Sequence, residues 1–243
     1  TSEALQSLAL KLKALRLFPF FFSPLPPGAQ LKSSDGYAII QSLRELTFGL
    51  DKVFVDRSTE SRGVRFDSFW RRGPASRLLE EYVIAHVQSI SSNKDKDGNS
   101  RTRESSFVGP WCGMVIASVS YMEHVLRALE AVDKRIHKYA ITLFQHDVAA
   151  SLACKAKSRN DQFLLWQVLL GLISSHVYER DECDRGHSSI GQFFQRALRQ
   201  QAQTLGIKSW PEAKTMLVKV VWPTSCAEDG FMRDLWNDAL LTK

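Results

Sequence analysis

Apolar side chains recur at intervals of three and four residues along most of this chain, and no sustained alternation of period two appears, so nearly every regular segment reads as helix. Leu5, Leu8, Leu12 and Leu15, with Ala9, predict a first helix that ends near Phe18, before Pro19 and the stretch Ser23-Pro24-Leu25-Pro26-Pro27-Gly28 forbid regular structure. Ile39, Leu43, Leu46 and Leu50 predict a second helix over about 36–50. Leu78, Leu79, Tyr82, Val83, Ala85 and Val87 predict a third after Gly73-Pro74. Residues 89–106 hold almost nothing apolar beyond Ile90, cannot offset the entropy lost on ordering, and are expected to form a mobile polar loop between an N-terminal and a C-terminal half.

Beyond Pro110 the small and apolar residues from Cys112 to Tyr121 open another helix. Leu126, Leu129, Val132, Ile136, Ala140, Leu143 and Phe144 carry the period on to about Leu152, with room for one break. From Phe163 to Ile173 only Gln167 and Gly171 interrupt the apolar side chains, which predicts a helix without a polar stripe, buried on most sides at the centre of the core. Ile190, Phe193, Phe194, Ala197 and Leu198 then mark one apolar helix face, with Gly206 placed to cap its end. Ser209-Trp210-Pro211-Glu212 reads as a capping box with proline in the first turn, and Ala213, Met216, Leu217, Val220 and Val221 continue that helix to Pro223. Phe231, Leu235, Trp236, Ala239 and Leu240 mark a last helix. The expected fold is therefore all-α: residues 1–243 form one irregular multi-helix bundle around a buried central helix, with a long polar loop near 89–106 and no internal repeat.

Size and composition agree with such a core, since 243 residues that are 44% apolar need no disulfide or metal staple to fold. Cys112, Cys154, Cys183 and Cys226 stand singly, without C-x-x-C spacing, and read as thiols in a reducing compartment, cytoplasm or nucleus. The longest apolar run falls well short of the roughly 20 residues that a membrane span requires, so no membrane partner is expected. Thr1 to Phe22 lack an initiator Met and a signal-type cleavage site, so Thr1 reads as a cut edge within a longer protein. A net charge of +6 would favour nucleic acid only if gathered on one face, which periodicity does not show.

One ordered set of residues goes further. Leu164-Leu165-Trp166-Gln167-Val168-Leu169-Leu170-Gly171 is followed by Phe193-Phe194 with Leu198, by Leu205-Gly206-Ile207, by Ser209-Trp210, by Val220-Val221-Trp222 and by Leu235-Trp236. In order and spacing this set resembles the C-terminal part of the fungal-specific transcription factors that carry a binuclear zinc cluster, over roughly residues 160–240. The earlier residues resemble that family only in being helical and interrupted by a polar loop. The resemblance implies a helical regulatory (middle homology) domain that follows a DNA-binding cluster and governs activation, dimerisation or the response to a small molecule. That cluster needs six closely spaced cysteine thiolates around two zinc ions, and the four isolated cysteines here cannot supply it. DNA contact and zinc are therefore expected only through a segment upstream of Thr1, if this is not a relative that never had the cluster.

Candidate chemistry elsewhere is weaker. Asn93-Lys94-Asp95-Lys96-Asp97-Gly98 with Glu104 nearly fits a calcium loop, yet Asn at the first position, Ser100 at the usual apolar position, Arg101, Arg103 and Gly109-Pro110 argue for a solvated loop. His146-Asp147 invites comparison with a metal-dependent phosphohydrolase, for which His124, His137 and Asp184 are conceivable partners that no spacing rule selects. No Asp-Asp-x-x-Asp, repeated Glu-x-x-His, nucleotide-binding glycine loop or G-x-S-x-G elbow occurs. Arg62, Arg65, Arg71, Arg72 and Arg77 interleave with Phe66, Phe69 and Trp70, a composition found on single-strand nucleic-acid platforms and equally in a loop whose rings dock while its arginines stay solvated.

The expected function is that of a regulatory domain of a nuclear fungal transcription regulator, without catalysis. It would act by a change of helix packing on binding a small-molecule effector, a second copy or a co-regulator. Trp166, Phe193, Phe194, Trp210, Trp222 and Trp236 are its expected pocket or signature positions. A helical interaction scaffold and a metal-dependent helical hydrolase are the alternatives.

Overall fold

The segment that is apolar on all sides is the one on which the others are assembled. The computed structural model describes residues 30–31, 33–55, 74–91, 107, 109–129, 134–153, 160–181, 189–224 and 229–241, and 88% of the interpretable chain is helical. In chain order the helices are α1 (Ser33–Val55), α2 (Pro74–Ser91), α3 (Trp111–Ser120), α4 (Lys134–Ala153), α5 (Asp161–Asp181), α6 (Ser189–Leu205), α7 (Trp210–Val220) and α8 (Asp229–Leu241). Two short strands, β1 (Gln30–Leu31) and β2 (Gly109–Pro110), pair antiparallel with Gln30 opposite Pro110.

Every residue of α5 from Phe163 to Ser175 is buried, because α3, α4, α6 and α7 all pack against it. Its start is fixed by Asn160, whose Oδ1 accepts the Phe163 N–H at 3.0 Å and so satisfies one of the donors that a helix end leaves open. Gly171 lets α6 approach: a β-carbon there would lie 2.1 Å from the Phe194 ring. At the other end of α6, Gly206 takes a left-handed φ of 68° and the Ile207 N–H returns to the Ala202 carbonyl at 2.8 Å, the helix ending that the sequence predicts.

The first half of the chain docks through α1, which packs on α2. Arg44 on α1 donates from Nε to the Val220 carbonyl at 2.7 Å and from Nη2 to the Lys219 carbonyl at 2.5 Å. These carbonyls end α7, where they have no partner within their own helix and where the helix dipole favours a cation. The same guanidinium lies 5.9 Å from the centre of the Phe107 ring. Arg44→Met, which keeps the stem and removes the donors, is expected to lower stability by about 1.5–3 kcal/mol in urea unfolding. Arg44→Lys should recover only part of that, because an ammonium cannot form the fork.

Several expectations need correction. The helix foreseen over 36–50 runs from Ser33 to Val55, and α2 continues to Ser91, three residues into the stretch expected as loop. Val83 and Val87 lie on the outer face of α2, 43% and 56% exposed, while Leu78, Tyr82 and Ala85 face the core. Phe231 is likewise turned outward on α8, with Met232 buried in its stead. In the capping box Ser209 is the extended N-cap residue but makes no side-chain cap bond, and Glu212 accepts the Lys208 N–H at 2.8 Å. The helix read as running from Cys112 to about Leu152 with room for one break continues past Ser120 as a π-helical turn, Tyr121–Val125, is left at Arg127 with a left-handed φ of 51°, and runs again from Lys134 as α4. The first helix to Phe18, the rest of the polar loop with its calcium-like motif, Arg62 to Arg72, Asp184, Cys154, Cys183 and Cys226 fall outside the described residues. No described helix is long and apolar enough to cross a membrane.

Candidate functional site: an aromatic core and a histidine cluster

The sequence singles out six aromatic residues, and the fold gathers them in two linked groups. Trp166 on α5 leans on Tyr121 of the π-turn, with ring centres 5.8 Å apart, and Tyr121 meets Trp222 at 6.1 Å. Trp222 stands edge-on to Trp210 at 6.1 Å, and Trp210 meets Trp236 at 6.2 Å. Phe163 stacks on Trp166 at 5.8 Å and extends the row to Phe107. On the far side of Gly171, Phe194 packs between Phe193 and Phe144. Trp166, Trp210, Trp222, Trp236 and Phe194 are buried, and Phe193 is half-buried at the edge.

Tyr121 is the member that periodicity does not single out as a site residue. Its hydroxyl lies 2.9 Å from Thr47 Oγ1 on α1, which ties the aromatic row to the N-terminal helices. Among the described residues, the indole nitrogens of Trp166, Trp210, Trp222 and Trp236 are buried without a hydrogen-bond acceptor, and both polar side-chain atoms of Gln201 on α6 are buried without a partner. An unmet donor in an apolar interior is costly, on the order of 1–3 kcal/mol each. The core thus carries a set of polar groups to which an acceptor-bearing guest could add bonds.

A second cluster sits where the π-turn, α4 and α5 meet. Glu123 and His124 come from the widened turn, in which the Leu126 N–H reaches back five residues to the Tyr121 carbonyl at 3.0 Å. His137 comes from the start of α4, and its ring centre is 5.7 Å from that of His124. Ser174 of α5 is buried between them: its Oγ lies 3.1 Å from His137 Nε2 and 3.4 Å from His124 Nε2. Its carbonyl oxygen is 3.0 Å from His137 Nε2 and can only accept, which assigns a proton to that nitrogen. Burial, helped by the neighbouring His137, pulls His124 down to about 3. Burial also lowers His137, against the opposing pull of the Ser174 carbonyl. Both rings are therefore neutral at physiological pH.

His146 and Asp147, nominated with His124 and His137, do not join them. His146 is exposed on α4, and Asp147 faces Gly113 near the start of α3. Pro110 precedes α3 without a side-chain cap, and Asp147 brings a carboxylate to that end of the helix. Burial pushes its carboxyl up to about 6, while the Gly113 amide and His146 pull the other way. The unfolded chain gives up this proton from 3.8 upward, the folded one only near 6, so stability falls across that interval and the penalty persists above it. Asp147→Asn, which keeps an oxygen for the amide, should gain on the parent by up to about 3 kcal/mol between pH 4 and pH 7 in paired unfolding curves.

Comparison with known protein families, with individually curated proteins and with solved structures finds no match to this chain. Of the arginine-aromatic set, the described member is Arg77, which pairs with Glu45 across α1 and α2. Cys112 is half-buried on α3 beside the core.

Proposed function

We propose that this chain is the regulatory domain of a nuclear fungal transcription regulator of the binuclear-zinc-cluster type, working without catalysis. A small-molecule effector, a second copy or a co-regulator would bias one helix packing over another, and DNA would be met by a cluster outside this chain. The observation that carries this reading is that the segments resembling the family are the ones that assemble the core. The Leu164–Gly171 stretch, Phe193-Phe194, Ser209-Trp210, Val220–Trp222 and Leu235-Trp236 lie on four helices and an adjoining turn that pack on one another, Trp210 meeting Trp222 and Trp236, and Phe194 fitting against Gly171. A guest that accepts from the indole N–H groups would be bound among helices whose mutual packing it then alters, which is how a bundle converts occupancy into a change of shape.

Reading the parent transcript upstream of Thr1 tests this directly. Six cysteines in binuclear-cluster spacing followed by a basic linker are expected. A start codon within a few residues and no such cluster would oppose the reading and favour the interaction scaffold.

A further inference from the structure

We propose that Glu123, His124 and His137 hold one divalent transition-metal cation of the zinc class, clipping the π-turn to α4 beside α5. One ligand atom from each of the three lies within 4.8 Å of the others. Two imidazoles and a carboxylate are a donor set that zinc takes in sites with three protein ligands, the fourth place going to water. Bonds of about 2.0–2.2 Å space tetrahedral donors roughly 3.3 Å apart. Binding would therefore draw the three half-buried side chains together by up to about 1.5 Å.

Two further observations fit a cation here. The Ser174 carbonyl accepts from His137 Nε2 at 3.0 Å and holds the ring plane, as the outer partners of metal-bound histidines do. The turn that supplies two of the three ligands departs from α-geometry, and its exit holds a non-glycine residue, Arg127, at φ 51°. Such irregular turns recur at functional sites because they re-aim side chains that a regular helix would spread apart. A cation joining them would stabilise the turn's unusual winding by mass action and make the junction of three segments respond to metal supply.

The test uses tag-free protein titrated with zinc chloride in a magnesium-containing buffer, followed by equilibrium dialysis and metal analysis. Saturation at one zinc per chain is expected. His124→Gln with His137→Gln should abolish that binding, and His146→Gln should leave it unchanged. Circular dichroism checks that each variant keeps its helix content. In the unmodified protein, zinc should shift the ring-nitrogen resonances of His124 and His137 and spare those of His86, His146 and His176, a readout that needs no variant to fold. Absence of saturable binding, binding that survives loss of both histidines, or shifts confined to the other histidines would overturn the proposal.

Discussion

Gly171→Ala is expected to destabilise the protein by about 3 kcal/mol or more, against the usual gain of about 1 kcal/mol when alanine replaces a helical glycine. The inversion comes from Phe194. A β-carbon at 171 would stand 2.1–2.4 Å from three atoms of its ring, far inside contact distance. That ring cannot withdraw, since it is fully buried and held by Phe144 and Phe193. Relief must then come from moving α6 away from α5, which opens the packing at the centre of the bundle. Urea unfolding should show a lower midpoint at an unchanged slope. In a Phe194→Ala background the same substitution should cost far less, giving a coupling of more than about 1 kcal/mol. A neutral or stabilising Gly171→Ala would mean that the two helices do not meet as described.

Trp166→Ala should cost about 3–5 kcal/mol, the range for removing a large buried aromatic side chain. The indole is fully buried, stacked on Phe163 and tilted against Tyr121, so its loss opens a cavity bordered by rings that cannot collapse together. Trp166→Phe is the informative companion. It gives up part of the ring but also removes a buried N–H that no acceptor meets, and these effects oppose each other at about 1–3 kcal/mol apiece. The expected net change is within about 1 kcal/mol, read from the same unfolding curves. A loss for phenylalanine as large as that for alanine would show that the indole nitrogen has a bond in solution.

The helices were legible because each carries one apolar stripe, and α5 was legible as the centre because it has no polar stripe at all. Gly206 could be placed because a left-handed helix ending leaves few alternatives to glycine. The side chains on the margins were less legible. Periodicity marks Val83 and Val87 as apolar without saying how wide the buried face of α2 is, and both point outward. The π-turn has no pattern of its own, since one extra residue in a helical turn leaves the surrounding three-and-four spacing nearly intact. The histidine cluster was hidden for a different reason. His124, His137 and Ser174 come from three segments and meet only through tertiary packing, so no local spacing selects them over His146 and Asp147. The tryptophans were easier, because large rings late in a helical chain have few places to go other than the core.

The reading of this chain as a transcriptional regulatory domain is tested most directly by fusing it to an unrelated DNA-binding domain and measuring a reporter in yeast. An output is expected that departs severalfold from that of the DNA-binding domain alone, in either direction, and that returns toward it when Gly171→Ala or Trp166→Ala loosens the core. An output equal to that of the DNA-binding domain alone, from a fusion that is folded and present at the same level in the nucleus, would contradict it.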